Sequence, residues 1–465
     1  MDQFKPFYDP VIFNNSLDSV DLGTHIIATY YVEDTIPGED FLDHFDLLKE
    51  MILEGSTGTW TEVKEESPEV RQKLSGKLLG YYEIPAPLGV KKAIVQVGFP
   101  IEAWEPNLPM MLLSFAGNCF AYCSRLRLLD VSFPKKLVQA FRGPKFGIEG
   151  IRNILGVRDR PLVLQIIKPK MGMTPKQTAQ QVYQTALGGV DMVKDDEMTS
   201  DTEYCKFMER LDAVMAALQK AEDETGKKML YFISITDEVN KIVEKAKRAI
   251  EAGANGFLLC YSASPSILRV LAEDPEMNAP ILLHPSHMLS MIARIGWPVM
   301  AKLCRLCGAD MMLTPTYWSG IPVVSLEESI RSAQVQLAPF FHIRKNWPMP
   351  AGGMYPGVLP IVAREFGMDI VVPAGGGILG HPQGYTAGAR AMVQAAEAVA
   401  QGISLEEAAK RQPELRAAIE KWGIPKRPQT PWVQTHRGKY HQGGDPRSTV
   451  EIYLGKRPLG EEHNL

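Results

Sequence analysis

Between residues 162 and 373 short apolar runs recur, each followed by a stretch with helical spacing. The runs are Leu162–Ile167, Val190–Lys194, Met229–Ile235, Gly256–Cys260, Ile281–His284, Met311–Leu313, Trp347–Pro350 and Ile370–Pro373. They are apolar throughout rather than alternating, as parallel strands covered by helices on both faces must be. Helical stretches between them stand out at Thr174–Leu187, Thr202–Thr225 and Val239–Ala252. Eight such units over roughly 250 residues predict a closed (β/α)8 barrel, whose chemistry sits at the C-terminal ends of its strands.

The polar groups obey that rule. Residues 190–197 read V-D-M-V-K-D-D-E, so a buried strand ends in one lysine and three acids. Alternation along a strand turns Lys194 and Asp196 to one side and Asp195 to the other, with Glu197 following in the loop. A lysine and two acids there make an oxygen-rich site of the kind Mg2+ prefers; D-D-E by itself also fits a solvated surface cluster. Lys168 and Lys170 follow the first strand, and there they can enter a pocket in which a lysine of depressed pKa acts as base, or stay solvated. His284 ends the fifth strand, as a proton-transfer group or a satisfied core histidine. Gly352–Gly353 and Gly375–Gly377 follow strands seven and eight, where barrels bind phosphate through exposed N–H groups; elsewhere a glycine run is merely a turn.

Upstream, residues 1–145 predict a smaller α+β domain, residues 146–423 the barrel, and residues 424–465 a proline-, glycine- and charge-rich tail. In the small domain, residues 25–32 read as a strand and 40–53 as an amphipathic helix. E-G-S-T-G-T-W at 54–60 reads as a turn leading into a strand, with further strands near 78–84, 93–99 and 110–115. With 465 residues, 45% hydrophobic and 22% charged, and a net charge of −4, the chain has an ordinary globular composition. Mild acidity argues against a nucleic-acid or anionic-membrane partner. No apolar run reaches the ~18 residues of a membrane span, and M-D-Q-F-K-P-F lacks the basic and apolar regions expected of a signal peptide. Six cysteines in such a chain are no disulfide framework. Cys304 and Cys307 form a C-x-x-C without the partners of a zinc site and read as an apolar helix face. The expectation is a cytoplasmic protein with reduced thiols.

Taken together these segments resemble the large chain of ribulose-bisphosphate carboxylase (RuBisCO) over about residues 20–420. E-G-S-T-G-T-W carries Glu54, Thr59 and Trp60; S-F-A-G-N-C-F at 114–120 carries Asn118; G-P-K-F-G-I-E-G leads into the barrel. K-P-K-M-G matches the motif of the proton-abstracting lysine, at Lys168, with a second active-site lysine at Lys170. G-G-V-D-M-V-K-D-D-E matches the motif whose lysine is carbamylated by CO2. The resemblance therefore implies Mg2+ held by a Lys194 carbamate, Asp196 and Glu197. G-G-G-I-L-G-H-P matches the phosphate loop. It also implies a ferredoxin-like N-terminal domain and a homodimer, or a higher assembly of dimers, in which Glu54, Thr59, Trp60 and Asn118 complete the partner's barrel site.

The departures are as informative. The loop after strand six, M-L-T-P-T-Y-W-S-G-I-P, lacks the lysine that orients CO2 in carboxylases. Pro285, Leu313 and Ala351 stand where the family grips a second phosphate, and losing an arginine–phosphate pair removes strong, directional binding. The resemblance is thus to a RuBisCO-like protein that enolises or isomerises a sugar monophosphate without fixing CO2. A methionine-salvage intermediate of the 5-methylthioribulose 1-phosphate kind fits the less polar wall. Methylthio-ketone enolases of the family differ from this chain at the second lysine of K-P-K. Two alternatives stay open: a decarboxylase or transcarboxylase of an oxidised branched-sugar phosphate (3-oxo-isoapionate 4-phosphate type), and a non-catalytic sugar-phosphate-binding or regulatory protein.

Overall fold

The computed structural model describes residues 8–35, 41–59, 61, 63–123, 125–318 and 323–425. Trp60 and nearly all of the tail lie outside the described residues. The chain divides into two compact units, one of Met1–Phe141 with Ser290–Met300 and one of Arg142–Leu289 with Ala301–Leu465. Among the described residues no helix is long and apolar enough to cross a membrane.

The smaller unit is built on an antiparallel sheet of β1 (His25–Thr35), β2 (Lys77–Glu83), β3 (Val90–Pro100) and β4 (Arg125–Ser132), in the order β2-β3-β1-β4. Helix Phe41–Glu54 follows β1 and buries Leu48, Met51 and Ile52. Two expectations fail here. Residues 110–115 are part of a helix, Leu108–Ala116, not a strand. The Asn107 side chain accepts from Met110 N, Pro109 occupies the first turn, and the helix buries Leu108, Met111 and Phe115. A short apolar run has no period that separates the two states, and the cap decides. Likewise 54–59 ends a helix rather than starting a strand: Gly55 N bonds to Met51 O and Gly58 N to Leu53 O. The missing strand is β4, whose Leu126, Leu128 and Val131 point inward. Its edge is covered by the Ser290–Met300 segment, through Leu128 N to Arg294 O at 2.8 Å and Gly296 N to Leu128 O at 2.7 Å; covering an edge removes its unpaired backbone groups.

The larger unit is the barrel. β5 (Leu162–Ile166), β6 (Met192–Lys194), β7 (Leu230–Ser234), β8 (Phe257–Cys260), β9 (Ile281–His284), β10 (Met311–Pro315), β11 (Trp347–Ala351) and β12 (Val371–Ala374) form one eight-stranded sheet. The pairings are parallel, and β11 lies against β12 to close the ring. All eight runs expected from the sequence are strands. Leu164, Met192, Phe232, Leu282, Met311 and Trp347 belong to one buried cluster that fills the interior, each contributing about 1.5–3 kcal/mol. Helix Gly147–Leu155 adds Ile148 and Ile151 to it. At the start of β5 and β6, buried Arg160 grips Asp191 through two 2.7 Å bonds, and Asp191 also accepts from Val163 N at 2.8 Å. That pairing fixes the register which carries Lys194 to the strand's far end.

Candidate active site

Lys194 ends β6 and is fully buried, as are Asp195 and Asp196. The two acids face opposite ways, as strand alternation requires. Asp195 is committed to structure: it accepts from Tyr231 OH at 2.7 Å, Ser234 N at 2.9 Å and Arg210 Nε at 3.2 Å. Asp196 turns to the other side, taking Met198 N at 3.1 Å and the Lys168 ammonium. Glu197 receives Lys170 Nζ at 3.0 Å, with Lys194 Nζ 3.8 Å and His284 Nε2 3.5 Å from its other oxygen. Lys168, Lys170, Lys194, Asp196, Glu197 and His284 therefore converge from the ends of three strands.

The charges are matched. Burial pushes the Lys194 amine below the ordinary lysine range, against the pull of Glu197 and Asp196. Burial and the neighbouring Lys194 also hold His284 low, so its ring is neutral. Burial raises Glu197, but its own backbone N–H and the neighbouring Lys194 and Lys170 outweigh it and keep the carboxylate ionised. With Lys168 on Asp196 and Lys170 on Glu197, each of these carboxylates has a lysine partner beside the buried Lys194 amine. His284 Nδ1 lies 2.7 Å from Ser286 Oγ. A hydroxyl donating to Nδ1 leaves the ring's proton on Nε2, toward Glu197.

Among the described residues no three His, Cys, Asp or Glu side chains are gathered to hold a metal. Asp196 and Glu197 supply two hard oxygen donors, and a third needs oxygen on Lys194. A buried lysine whose pKa is lowered gives up its proton more readily, as an amine must before it adds CO2, so the residues fit Mg2+ once Lys194 is carbamylated.

The glycine loops are close-packed. A side chain at Gly377 would put its Cβ 2.1 Å from Met354 O, which joins the loops after β11 and β12, whereas at Gly376 nothing lies within 4 Å. Gly352 and Gly353 hold φ of +101° and +62°, in the region glycine tolerates. Gly375 packs against the Lys168 stem, 3.4 Å from where a Cβ would sit to Lys168 Cε. Leu313 and Pro285 are buried and Ala351 half-buried, an apolar set on neighbouring strand ends. The loop after β10 starts with buried Thr316, Tyr317 and Trp318, and Trp318 Nε1 donates to Glu365 at 2.6 Å.

In the smaller unit, Glu54 is held by Asn118 Nδ2 at 3.1 Å and Tyr122 OH at 2.9 Å. Thr59 is exposed. Sequence reasoning missed Tyr122, and also Gln181. The Gln181 amide brackets Lys168, accepting from its N at 3.2 Å and donating to its O at 2.7 Å. Neither lies in a recognisable motif; spacing alone carries no such signal.

Residues 147–422 match the ribulose bisphosphate carboxylase large chain catalytic domain, and residues 15–137 match the N-terminal domain of that chain. The chain belongs to the ribulose bisphosphate carboxylase large-chain family. It is 40% identical over 416 residues to a ribulose bisphosphate carboxylase-like protein of Archaeoglobus fulgidus, covering 86% of this chain and 94% of that one. It is 34% identical to the 2,3-diketo-5-methylthiopentyl-1-phosphate enolase of Geobacillus kaustophilus, covering 86% of this chain and 98% of the enolase. An octameric ribulose-1,5-bisphosphate carboxylase/oxygenase from Pyrococcus horikoshii superposes with a TM-score of 0.80 at 30% identity, over 89% of this chain and 96% of that one.

Proposed function

We propose that the protein is a cytoplasmic, Mg2+-dependent enzyme that enolises or isomerises a phosphorylated ketose and does not fix CO2. The observation that carries this reading is the convergence of Lys168, Lys170, Lys194, Asp196, Glu197 and His284 at one end of the barrel. The similarity to an enolase of a methylthio-ketone phosphate supports it. Asp196, Glu197 and a Lys194 carbamate would hold Mg2+, which would supply Lewis-acid polarisation of the substrate carbonyl. Lys168 Nζ, in its deprotonated form beside Asp196, or the Lys194 carbamate is placed to take the α-proton, and His284 Nε2 or Lys170 Nζ to deliver one. Backbone N–H groups of Gly352, Gly353, Gly375, Gly376 and Gly377 hold the phosphate, joined by Thr59. Leu313, Pro285 and Ala351 give the far end of the substrate an apolar wall, which suits a methylthio group better than a second phosphate. In a homodimer, Glu54, Thr59, Trp60 and Asn118 of each subunit complete the other's site.

Lys170 favours a second reading. Its ammonium reaches Glu197 in the cluster, and a cation there suits a carboxylate-bearing substrate, as in decarboxylation or transcarboxylation of an oxidised branched-sugar phosphate. A pure sugar-phosphate binder does not need base and metal ligands together. The test is NMR in D2O with a panel of ketose monophosphates, Mg2+ and bicarbonate. Deuterium entering the α-carbon, and its loss in Lys194→Ala, is the expected result. Binding without exchange for every ketose sinks enolisation and leaves the decarboxylase, assayed by CO2 release, or the binder.

A further inference from the structure

A cavity of about 750 Å3 opens at the N-terminal ends of the barrel strands, beside the residues that lead into β11 and β12. That is the opposite end from Lys194, and the size is that of a small-molecule site. Its wall is basic in an unusual way. Arg305 is only 1% exposed and spends its donors on four main-chain carbonyls, of Arg344, Val335, Ala338 and Ile343, at 2.8–3.0 Å. A carbonyl accepts a hydrogen bond but brings no opposite charge. Among the described residues no carboxylate is paired with Arg305, and burial pushes its guanidinium down to about 10. The Phe340 ring lies 5.6 Å from the guanidinium carbon, but a buried cation without a counter-ion is still costly, and a bound anion lowers that cost. Arg344 likewise donates to a carbonyl, of Lys145, and Lys345 is exposed. Of the acids on the wall, Asp369 is already taken by Arg152 at 2.8 Å, leaving Glu149.

The rim adds an aromatic surface. Phe341 is 55% exposed, and its backbone sits at φ +49°, a region bulky side chains avoid. Its ring lies 6.1 Å from that of Phe340, tilted by 39°. A strained backbone that holds a flat apolar ring in water, next to unpaired cations, is an observed outlier that asks for an occupant.

We infer that this cavity binds a nucleoside phosphate, its base on Phe341 and its phosphates against Arg344 and Lys345 with Arg305 behind them. The site is independent of the reaction proposed above. Equilibrium dialysis of the full chain against ADP tests it, with adenosine and pyrophosphate as the separate halves. The expected result is one saturable ADP per chain, weakened about tenfold or more by Lys345→Glu and by Phe341→Ala. Lys168→Met, at the far end of the barrel, leaves ADP affinity unchanged. Circular dichroism melting checks that the variants are folded. No saturable binding at millimolar ADP overturns the proposal. So does binding that Lys168→Met abolishes and Lys345→Glu spares, since ADP is then in the barrel mouth. Pyrophosphate binding as tightly as ADP overturns the nucleoside part.

Discussion

Lys168 owes its position to a residue on the next helix. Gln181 is nearly buried and its amide closes both backbone groups of Lys168, while its Oε1 also accepts from buried Gln165 at 3.1 Å. Leucine at this position keeps the volume but orphans Lys168 N and O. Gln181→Leu is expected to lower kcat about 10- to 100-fold while KM for the phosphorylated substrate barely moves, because small misplacements of a reacting group are that expensive. An equal rise in KM contradicts a positioning role. His44 is a second residue with a definite consequence. It is fully buried, packs edge-on against Phe45 and Tyr81, and neither ring nitrogen has a partner. Burial lowers its pKa below 6.5, with Lys91 assisting and Asp34 and Glu83 opposing. The unfolded chain therefore binds the proton first as pH falls below 6.5, so the folded state loses stability on acidification and holds it above 6.5. Urea midpoints at pH 7.5 and 5.5 should differ less in His44→Phe than in the parent; an unchanged difference means another group titrates.

At the scale of elements, the strand ends and the two glycine loops do different work. Gly377 is required by packing and Gly376 is not, since only the former lacks room for a Cβ. Gly377→Ala is expected to cost about 1–3 kcal/mol, read from denaturant melts, because Met354 O must move. Gly376→Ala should leave the melt unchanged yet raise KM for a phosphorylated ligand about tenfold, since its methyl enters the space assigned to phosphate. If neither KM nor affinity changes, the phosphate lies elsewhere. The three residues after β6 show the same division of labour: Asp195 ties the strand end to Arg210 and Tyr231, and that frees Asp196 and Glu197 for the cluster.

For the whole molecule, the sharpest consequence concerns sharing between subunits. Lys168→Met disables the barrel and Asn118→Ala breaks the bond to Glu54; each variant alone should be inactive. Coexpressed, randomly mixed dimers with shared sites hold one intact site per mixed dimer, so roughly a quarter of parental activity should return. No recovery would mean that each chain completes its own site.

Apolar strands repeated with helices between them state a parallel sheet covered on both faces, and eight such units over roughly 250 residues point to the closed barrel rather than an open sheet. K-D-D-E states its own alternation, so the divergence of Asp195 from Lys194 and Asp196 was legible too. Residues 110–115 were not, because Leu, Met and Phe in a short run suit either period until Asn107 caps the turn. The bonds from Tyr122 to Glu54 and from Gln181 to Lys168 span 68 and 13 residues. Arg305, stranded among carbonyls, shows the same limit. Local sequence sets period and polarity, whereas partnership between distant side chains exists only once packing has brought them within hydrogen-bond reach.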